Sequence, residues 1–185
     1  FMSVHLVTQE QWAAITDATP SYFKGQANLP VESVSWNHCQ EFAKALRKMD
    51  GKPYRLPTDA EWEYACRAGT TTPFYCGHKI STDQANFNST GPRLTHGNLV
   101  NRQKTTPVGS FPPNPWGLYD MHGNLWQWCE CLHGGFSDAP VVDPKGPTKL
   151  SGGHVMRGGC YSMDAFNYRS AARGAGDPNH GFHFC

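Results

Sequence analysis

Residues 54–65 read YRLPTDAEWEYA, a short extended segment that turns into a helix at a proline. Pro57 has no N–H for a strand ladder, so the extended segment should end there. Thr58 and Glu61 form a capping box, in which each side chain accepts a hydrogen bond from the other's backbone N–H. We expect the helix that follows to place Trp62 in the protein core.

Two helices upstream are predicted by the same kind of signal. Thr8 and Gln11 form a capping box that opens a helix with Trp12 on its inner face. Ser35 caps a second helix, which should end in a left-handed turn at Gly51. The sequence therefore predicts three helices within its first 70 residues.

The rest of the chain is rich in Thr, Asn, Pro and Gly, which predicts long loops. Three short runs read as strands within it, and they cover residues 123–128, 154–157 and 181–184. Residues 123–128 and residue 62 supply three tryptophans whose large apolar area should lie in the core. Regular structure should therefore be sparse in this half.

Composition excludes several classes of function. A net charge of +1 with dispersed Lys and Arg gives no footprint for nucleic acid, and no apolar run is long enough to span a bilayer. Residues 1–4 do not read as a signal peptide, so we expect a soluble chain. Seven cysteines without a Cys-x-x-Cys spacing favour free thiols in a reducing compartment. Nine scattered histidines predict no catalytic transition-metal site.

Nine segments carry a resemblance to a known family. They are residues 7–12, 29–36, 54–65, 107–109, 114–121, 123–128, 157–159, 169–173 and 181–182. In this order they resemble the formylglycine-generating enzyme (sulfatase-modifying factor) family, whose fold is a variant of the C-type lectin fold. The resemblance implies one α+β domain over residues 1–185, with small antiparallel sheets, about three helices and extensive loops.

An oxidase of this family needs two cysteines just before the Arg-rich motif, where the resemblance implies Cu(I) ligands. Soft thiolates suit that ion. Residues 160–168 instead read CYSMDAFNY, without a cysteine pair, and Cys160 beside the Gly-Gly turn should be structural. The sequence therefore predicts a protein that is not an enzyme. The alternatives are an oxidoreductase like the family's namesake and a structural or binding relative that is not diversified.

Residues 164–185 contain no Lys, Glu, Gln, Met or Trp, the five residues that no codon ending in C encodes. These residue types occupy about a fifth of residues 1–163, so 22 such positions in a row have odds of about 1%. Selection for a turn-rich loop is one explanation. The other is a resemblance to the variable proteins of diversity-generating retroelements, in which AAC-type codons of a C-terminal segment are mutagenised.

On the second explanation, residues 160–185 form a variable region on a binding protein. The candidate ligand-binding residues are Tyr161, Ser162, Asp164, Ala165, Phe166, Asn167, Tyr168, Gly174, Asn179 and His180. All but Ala165 and Gly174 should converge on one solvent-facing patch, where replacement of an aromatic by Ala should cost little stability. We expect five fixed residues to lie beneath the patch and support it, namely Arg157, Gly158, Gly159, Arg169 and Arg173. The expected partner is an unidentified macromolecule, in our interpretation a protein, and neither nucleic acid nor membrane.

The resemblance also implies a calcium ion, which enzyme relatives hold around a Gly-Asn-x-Trp-Glu-Trp run. The corresponding positions are Asp120, Gly123, Leu125 and Gln127. The Asp120 carboxylate suits a hard cation, whereas Gln127 gives a neutral amide in place of a carboxylate, which lowers affinity. No cofactor is required, and a hydrogen-bonded turn without metal is the alternative.

Overall fold

The chain was analysed as a computed structural model, which describes residues 1–90, 94–135, 141–147 and 152–183. The helices in these residues are α1 (Gln9–Thr16), α2 (Trp36–Asp50) and α3 (Asp59–Arg67). The strands are β1 (Gln127–Leu132), β2 (His154–Arg157) and β3 (Gly174–Gly176). A short 3-10 helix covers Ala165–Tyr168. The predicted α+β class with three helices is confirmed.

All three predicted helix starts are confirmed. At each start, the hydroxyl of Thr8, Ser35 or Thr58 accepts a hydrogen bond of 3.2 Å from the backbone N–H three residues later. In α2 the return bond comes from His38, whose Nδ1 accepts from the Ser35 backbone N–H at 3.3 Å. Gly51, with a φ of 74°, ends α2 as predicted.

The sheet is antiparallel in the order β1-β2-β3, with Gln127 opposite Arg157 and Val155 opposite Ala175. The strand predicted at 154–157 is confirmed, whereas β1 begins at Gln127 rather than at residue 123. β3 contains two glycines that lie against tryptophan rings. A Cβ on Gly174 would lie 3.2 Å from Trp126, and a Cβ on Gly176 would collide with Trp128. Ring packing therefore explains a strand that residue propensity does not indicate.

The strand predicted at 181–184 is wrong over the residues that the structure describes, and Phe184 lies outside them. One backbone hydrogen bond, from the N–H of Ser33 to the carbonyl of Phe182 at 2.9 Å, takes the place of a ladder. The Phe182 ring packs against a buried cluster that includes Trp126 and Trp128. This segment is anchored by side-chain packing rather than by strand pairing.

The expected tryptophan core is confirmed. Trp62 is fully buried, and Trp126 and Trp128 are 6% and 5% exposed. The Trp62 indole N–H donates to Gln127 Oε1 at 2.9 Å, and the Trp128 indole N–H donates to the Val34 carbonyl at 3.1 Å. Trp62 and Trp128 therefore bury apolar area while their indole N–H groups keep a partner.

Among the residues described, no helix combines the length and the apolar composition that a membrane crossing needs.

Candidate ligand-binding surface

The turn at Gly158 and Gly159 sets the direction of the C-terminal segment. Both glycines have positive φ, 90° and 73°, and a Cβ on Gly159 would collide with the Tyr168 ring. The Gly158 carbonyl accepts a hydrogen bond from the Gly123 N–H at 2.7 Å. The turn therefore fixes the start of the segment against the loop around residues 120–124.

Asn124 connects that loop to the segment. Its backbone carbonyl accepts from the Tyr161 N–H at 3.0 Å. Its side-chain amide donates to Asp120 Oδ1 at 3.2 Å, and its side-chain oxygen accepts from the Thr106 N–H at 3.0 Å. A fully buried amide thus holds three parts of the chain together.

Arg157 supports the segment from below. Its fully buried guanidinium makes ion pairs with Asp59 and, at 2.8 Å, with Glu63. The same group donates to the carbonyls of Ser170 at 2.8 Å and Ala172 at 3.0 Å. Because Arg157 reaches both α3 and the backbone that follows Tyr168, it fixes the far end of residues 160–168.

Arg169 and Arg173 also support the segment, as expected. Arg173 makes an ion pair with Asp59 at 2.9 Å and donates to the Gly134 carbonyl at 2.7 Å. Arg169 donates to the Phe166 carbonyl at 2.9 Å, and its guanidinium carbon lies 3.8 Å from the centre of the Phe166 ring. Arg169 therefore supports the Phe166 ring directly.

The first group of candidate residues stands around the 3-10 helix. Ser162, Asp164 and Phe166 are exposed, and Asn167 is half-buried. Asp164 Oδ1 accepts from the Phe166 N–H at 3.0 Å and from the Asn167 side-chain amide at 2.9 Å. These local bonds hold the backbone at Phe166, whose ring is 48% exposed.

The second group is formed by Asn179 and His180, which are both exposed. The Asn179 side-chain oxygen accepts from the Asn37 amide at 2.8 Å, so this group lies at the start of α2. The His180 ring stacks on Phe182 with 5.7 Å between ring centres. Phe182 in turn packs on the tryptophan cluster, which keeps the group in place.

The expectation that Tyr161 and Tyr168 face solvent is wrong. Tyr161 is 6% exposed, Tyr168 is fully buried, and Ala165 is also buried at 1%. The Tyr168 hydroxyl donates to the Cys160 carbonyl at 2.9 Å, and its ring packs in a cluster with Phe74. A codon pattern reports which residues can be encoded and carries no information on the direction of a side chain.

Gly174 also differs from the other candidates. It lies in β3 opposite Met156 and over the Trp126 ring, and it has no side chain to present. A side chain added there would meet the ring first. Gly174 therefore belongs to the frame of the segment.

The sequence patterns did not identify three residues that lie at this surface. Asn88 donates its backbone N–H to the Met163 carbonyl at 2.8 Å. Phe23 makes an edge contact with Tyr161, with 5.4 Å between ring centres, and Tyr22 is 72% exposed beside it. An aromatic pair in a loop after Pro20 is the one sequence signal that points to the last two.

The cysteines of the described residues are free thiols without activation. They are Cys39, Cys66, Cys76, Cys129, Cys131 and Cys160. Burial raises the pKa of each thiol, and for Cys66 it does so to about 12. A nucleophilic cysteine needs a lowered pKa instead, so these thiols are protonated at neutral pH.

The calcium candidates form a hydrogen-bonded turn. Burial raises the pKa of the Asp120 carboxyl, whose oxygens accept hydrogen bonds from Asn124 and from the Gly109 N–H. An indole N–H can only donate, so Gln127 must turn its oxygen to Trp62, and its amide nitrogen donates to the Asp120 carbonyl at 2.8 Å.

The backbone at the other two calcium candidates is engaged as well, because the Gly123 carbonyl accepts from the Leu125 N–H at 2.9 Å. The candidate oxygens of Asp120, Gly123 and Gln127 thus accept hydrogen bonds within the protein. This arrangement favours the hydrogen-bonded turn that is the alternative to a calcium site.

Comparison with known families places this architecture. Residues 1–183 match the sulfatase-modifying factor enzyme 1-like domain. The chain therefore belongs to the sulfatase-modifying factor family, whose namesake is the formylglycine-generating enzyme. The formylglycine-generating enzyme of Streptomyces coelicolor is 35% identical over 164 residues, which cover 84% of this chain and 50% of that protein.

The chain is also similar to proteins that are not named as formylglycine-generating enzymes. The serine/threonine-protein kinase pkn1 of Chlamydia caviae is 32% identical, over 96% of this chain and 30% of that protein. The chain thus spans half or less of the length of these two relatives. The structure of Treponema denticola variable protein 1 shares the fold, with a TM-score of 0.81 and 24% identity, over 97% of this chain and 79% of that one. The C-type-lectin-like fold predicted from the sequence is confirmed.

Proposed function

We propose that the domain is a non-catalytic binding protein that displays a variable C-terminal surface, in the manner of the variable proteins of diversity-generating retroelements. The observation that supports this most strongly is the contrast between exposed side chains and a buried frame. Ser162, Asp164 and Phe166 are exposed, while Arg157 and Tyr168 are buried in the structure beneath them. Side chains on such a frame can change without loss of the fold.

The exposed residues have a composition suited to protein recognition. Phe166 offers contact area, and Ser162, Asp164, Asn179 and His180 offer adaptable polar groups. Two of the cavities in the described part of the chain have volumes of about 240 and 50 Å³, below the roughly 300–1,000 Å³ of typical small-molecule sites. A surface of this kind favours a macromolecular ligand, and we propose a protein.

The absence of a cysteine pair before Arg169 supports a role without catalysis, although named relatives are enzymes. A protein named a variable protein has the same fold, which agrees with the display function. We keep residues 160–185 as the variable region, of which Phe184 and Cys185 lie outside the described residues.

A selection experiment tests this function. A library with NNC codons at six positions is displayed on yeast and selected against lysozyme as a defined protein target. The positions are Ser162, Asp164, Phe166, Asn167, Asn179 and His180. Folded clones that bind lysozyme are expected. A control library with NNC codons at the buried Arg157, Tyr168 and Ser170 should give few folded clones. Folded clones without any binder in the first library would contradict the function.

A further inference from the structure

The loop between α1 and α2 brings two aromatic side chains to the C-terminal surface. The Tyr22 ring lies 5.9 Å from the His183 ring and 5.1 Å from the Phe23 ring, measured between ring centres. Phe23 continues the row to Tyr161 at 5.4 Å. A continuous row of rings therefore connects this loop to both ends of the variable region.

Buried polar groups hold the loop in place. Glu32 is fully buried, and its carboxylate accepts from the Phe23 N–H at 2.9 Å and from the Ser33 hydroxyl at 2.8 Å. The Glu32 N–H donates to the Ser21 hydroxyl at 3.2 Å, and the Gln9 amide donates to the Phe23 carbonyl at 2.9 Å. The residues on both sides of Tyr22 are thus held by hydrogen bonds before any ligand arrives, which lowers the entropic cost of binding.

The composition of the loop separates it from the variable region. It contains Lys24 and Gln26, two residue types that codons ending in C do not encode. The loop therefore lacks the pattern that residues 164–185 show. Tyr22 is nevertheless 72% exposed, and an exposed tyrosine offers a large contact area with little entropy to lose.

We propose that Tyr22, supported by Phe23, is an invariant anchor of the ligand-binding surface, on which an apolar side chain of a protein partner rests. This inference rests on the proposed display function. A protein partner fits better than a small molecule because the ring projects from the surface. The cavity of about 240 Å³ behind the loop, lined by Ser21, Lys24 and Val31 among others, is smaller than typical small-molecule sites. Variation nearby would then change specificity while the anchor retains a share of the affinity.

The test uses lysozyme binders selected from the six-position library. In each of about ten independent clones, Tyr22→Ala, Tyr22→Phe and Tyr64→Ala are made, and the Kd for lysozyme is measured. Tyr64 is a matched control because it is 69% exposed but lies on α3, in contact with Trp116. Thermal melting of every variant shows whether it is folded, and Tyr22→Gln replaces Tyr22→Ala in any clone that unfolds.

The expected result is a loss of affinity of roughly tenfold for Tyr22→Ala in most clones, a hot-spot effect, with little change for Tyr22→Phe or Tyr64→Ala. Binders that depend on the library positions but keep their affinity after Tyr22→Ala would overturn the anchor and leave the display function standing. A library that yields folded clones and no binders would overturn both.

Discussion

The Tyr168 ring lies against Gly159, in the space that a Cβ atom on residue 159 would fill. This contact joins the turn that precedes residues 160–168 to the buried residue at their end. The Tyr168 hydroxyl closes the same loop through the Cys160 carbonyl at 2.9 Å. The exposed residues between Cys160 and Tyr168 are therefore held at both ends by buried groups.

Replacement of Tyr168 should be costly, whereas replacement of Phe166 two residues earlier should not. Tyr168→Ala leaves a cavity in the cluster that includes Phe74, and we expect the free energy of unfolding to fall by about 3–5 kcal/mol. Phe166→Ala should lower it by less than about 1 kcal/mol because the ring is half exposed. Urea denaturation measures both values. Equal losses would show that Phe166 belongs to the core and not to the displayed surface.

Loss of Arg157 should destabilise the frame strongly. Arg157→Met leaves the buried Asp59 carboxylate without its main partner, and we expect a loss of about 3–5 kcal/mol in unfolding free energy. The matched control is Arg55→Met, which breaks an exposed ion pair with Glu61 of 2.7 Å and should cost at most about 1 kcal/mol. Similar losses in the two variants, measured by chemical denaturation, would argue against the central role of Arg157.

The free energy of unfolding should decrease as the pH is lowered below about 6.5, because of His122. Burial lowers the pKa of this imidazole from 6.5 to about 4. The ring is held as a neutral tautomer, since Nε2 accepts from the Tyr75 N–H at 3.1 Å and Nδ1 must therefore donate to the Tyr168 carbonyl. Between these pH values the unfolded chain binds a proton that the folded chain does not, so acid favours unfolding.

The His122 contribution should reach about 1.4 kcal/mol per pH unit at most, and about 3 kcal/mol over the whole window. Urea denaturation between pH 4 and pH 7 is compared for the native protein and for His122→Gln. The slope of unfolding free energy against pH should be smaller in the variant by up to about 1.4 kcal/mol per pH unit, whatever the absolute stability of the variant. Parallel curves would mean that His122 titrates normally in the folded state.

The purified domain should not oxidise a cysteine peptide of the sulfatase type, whether or not Cu(I) is added. The reason is that no cysteine pair precedes Arg169, and burial keeps the pKa of the Cys160 thiol above its ordinary value. Mass spectrometry of the peptide after incubation measures the product. Detection of formylglycine would show that the domain is an enzyme and would contradict the non-catalytic function.

The parts of the fold that depend on residues close together in the chain could be predicted from the sequence. The capping boxes at Thr8 and Thr58 act over three residues, and the left-handed stop at Gly51 requires one glycine. The short strand β3 could not be predicted in this way. Its stability comes from contacts of Gly174 and Gly176 with tryptophans almost 50 residues away in sequence.

The candidate surface was predicted in part. The exposed positions of Ser162, Asp164, Phe166, Asn179 and His180 agree with the expectation. The burial of Tyr161 and Tyr168 could not be foreseen, because tyrosine serves equally well in a core and on a binding surface. The position of Tyr22 beside His183 depends on tertiary contacts, which no local pattern contains.

The nucleotide sequence that encodes residues 157–185 tests the central claim most directly. We predict a near-copy of this stretch in the same genome that differs only where the copy has adenine. The differences should fall in the codons of exposed residues that AAC does not encode, which are Ser162, Asp164, Phe166, His180 and His183. The codons of the supporting Arg157, Tyr168 and Arg173 should match the copy. The absence of such a copy, or differences spread over all four bases and over the codons of buried residues, would contradict a diversified binding surface.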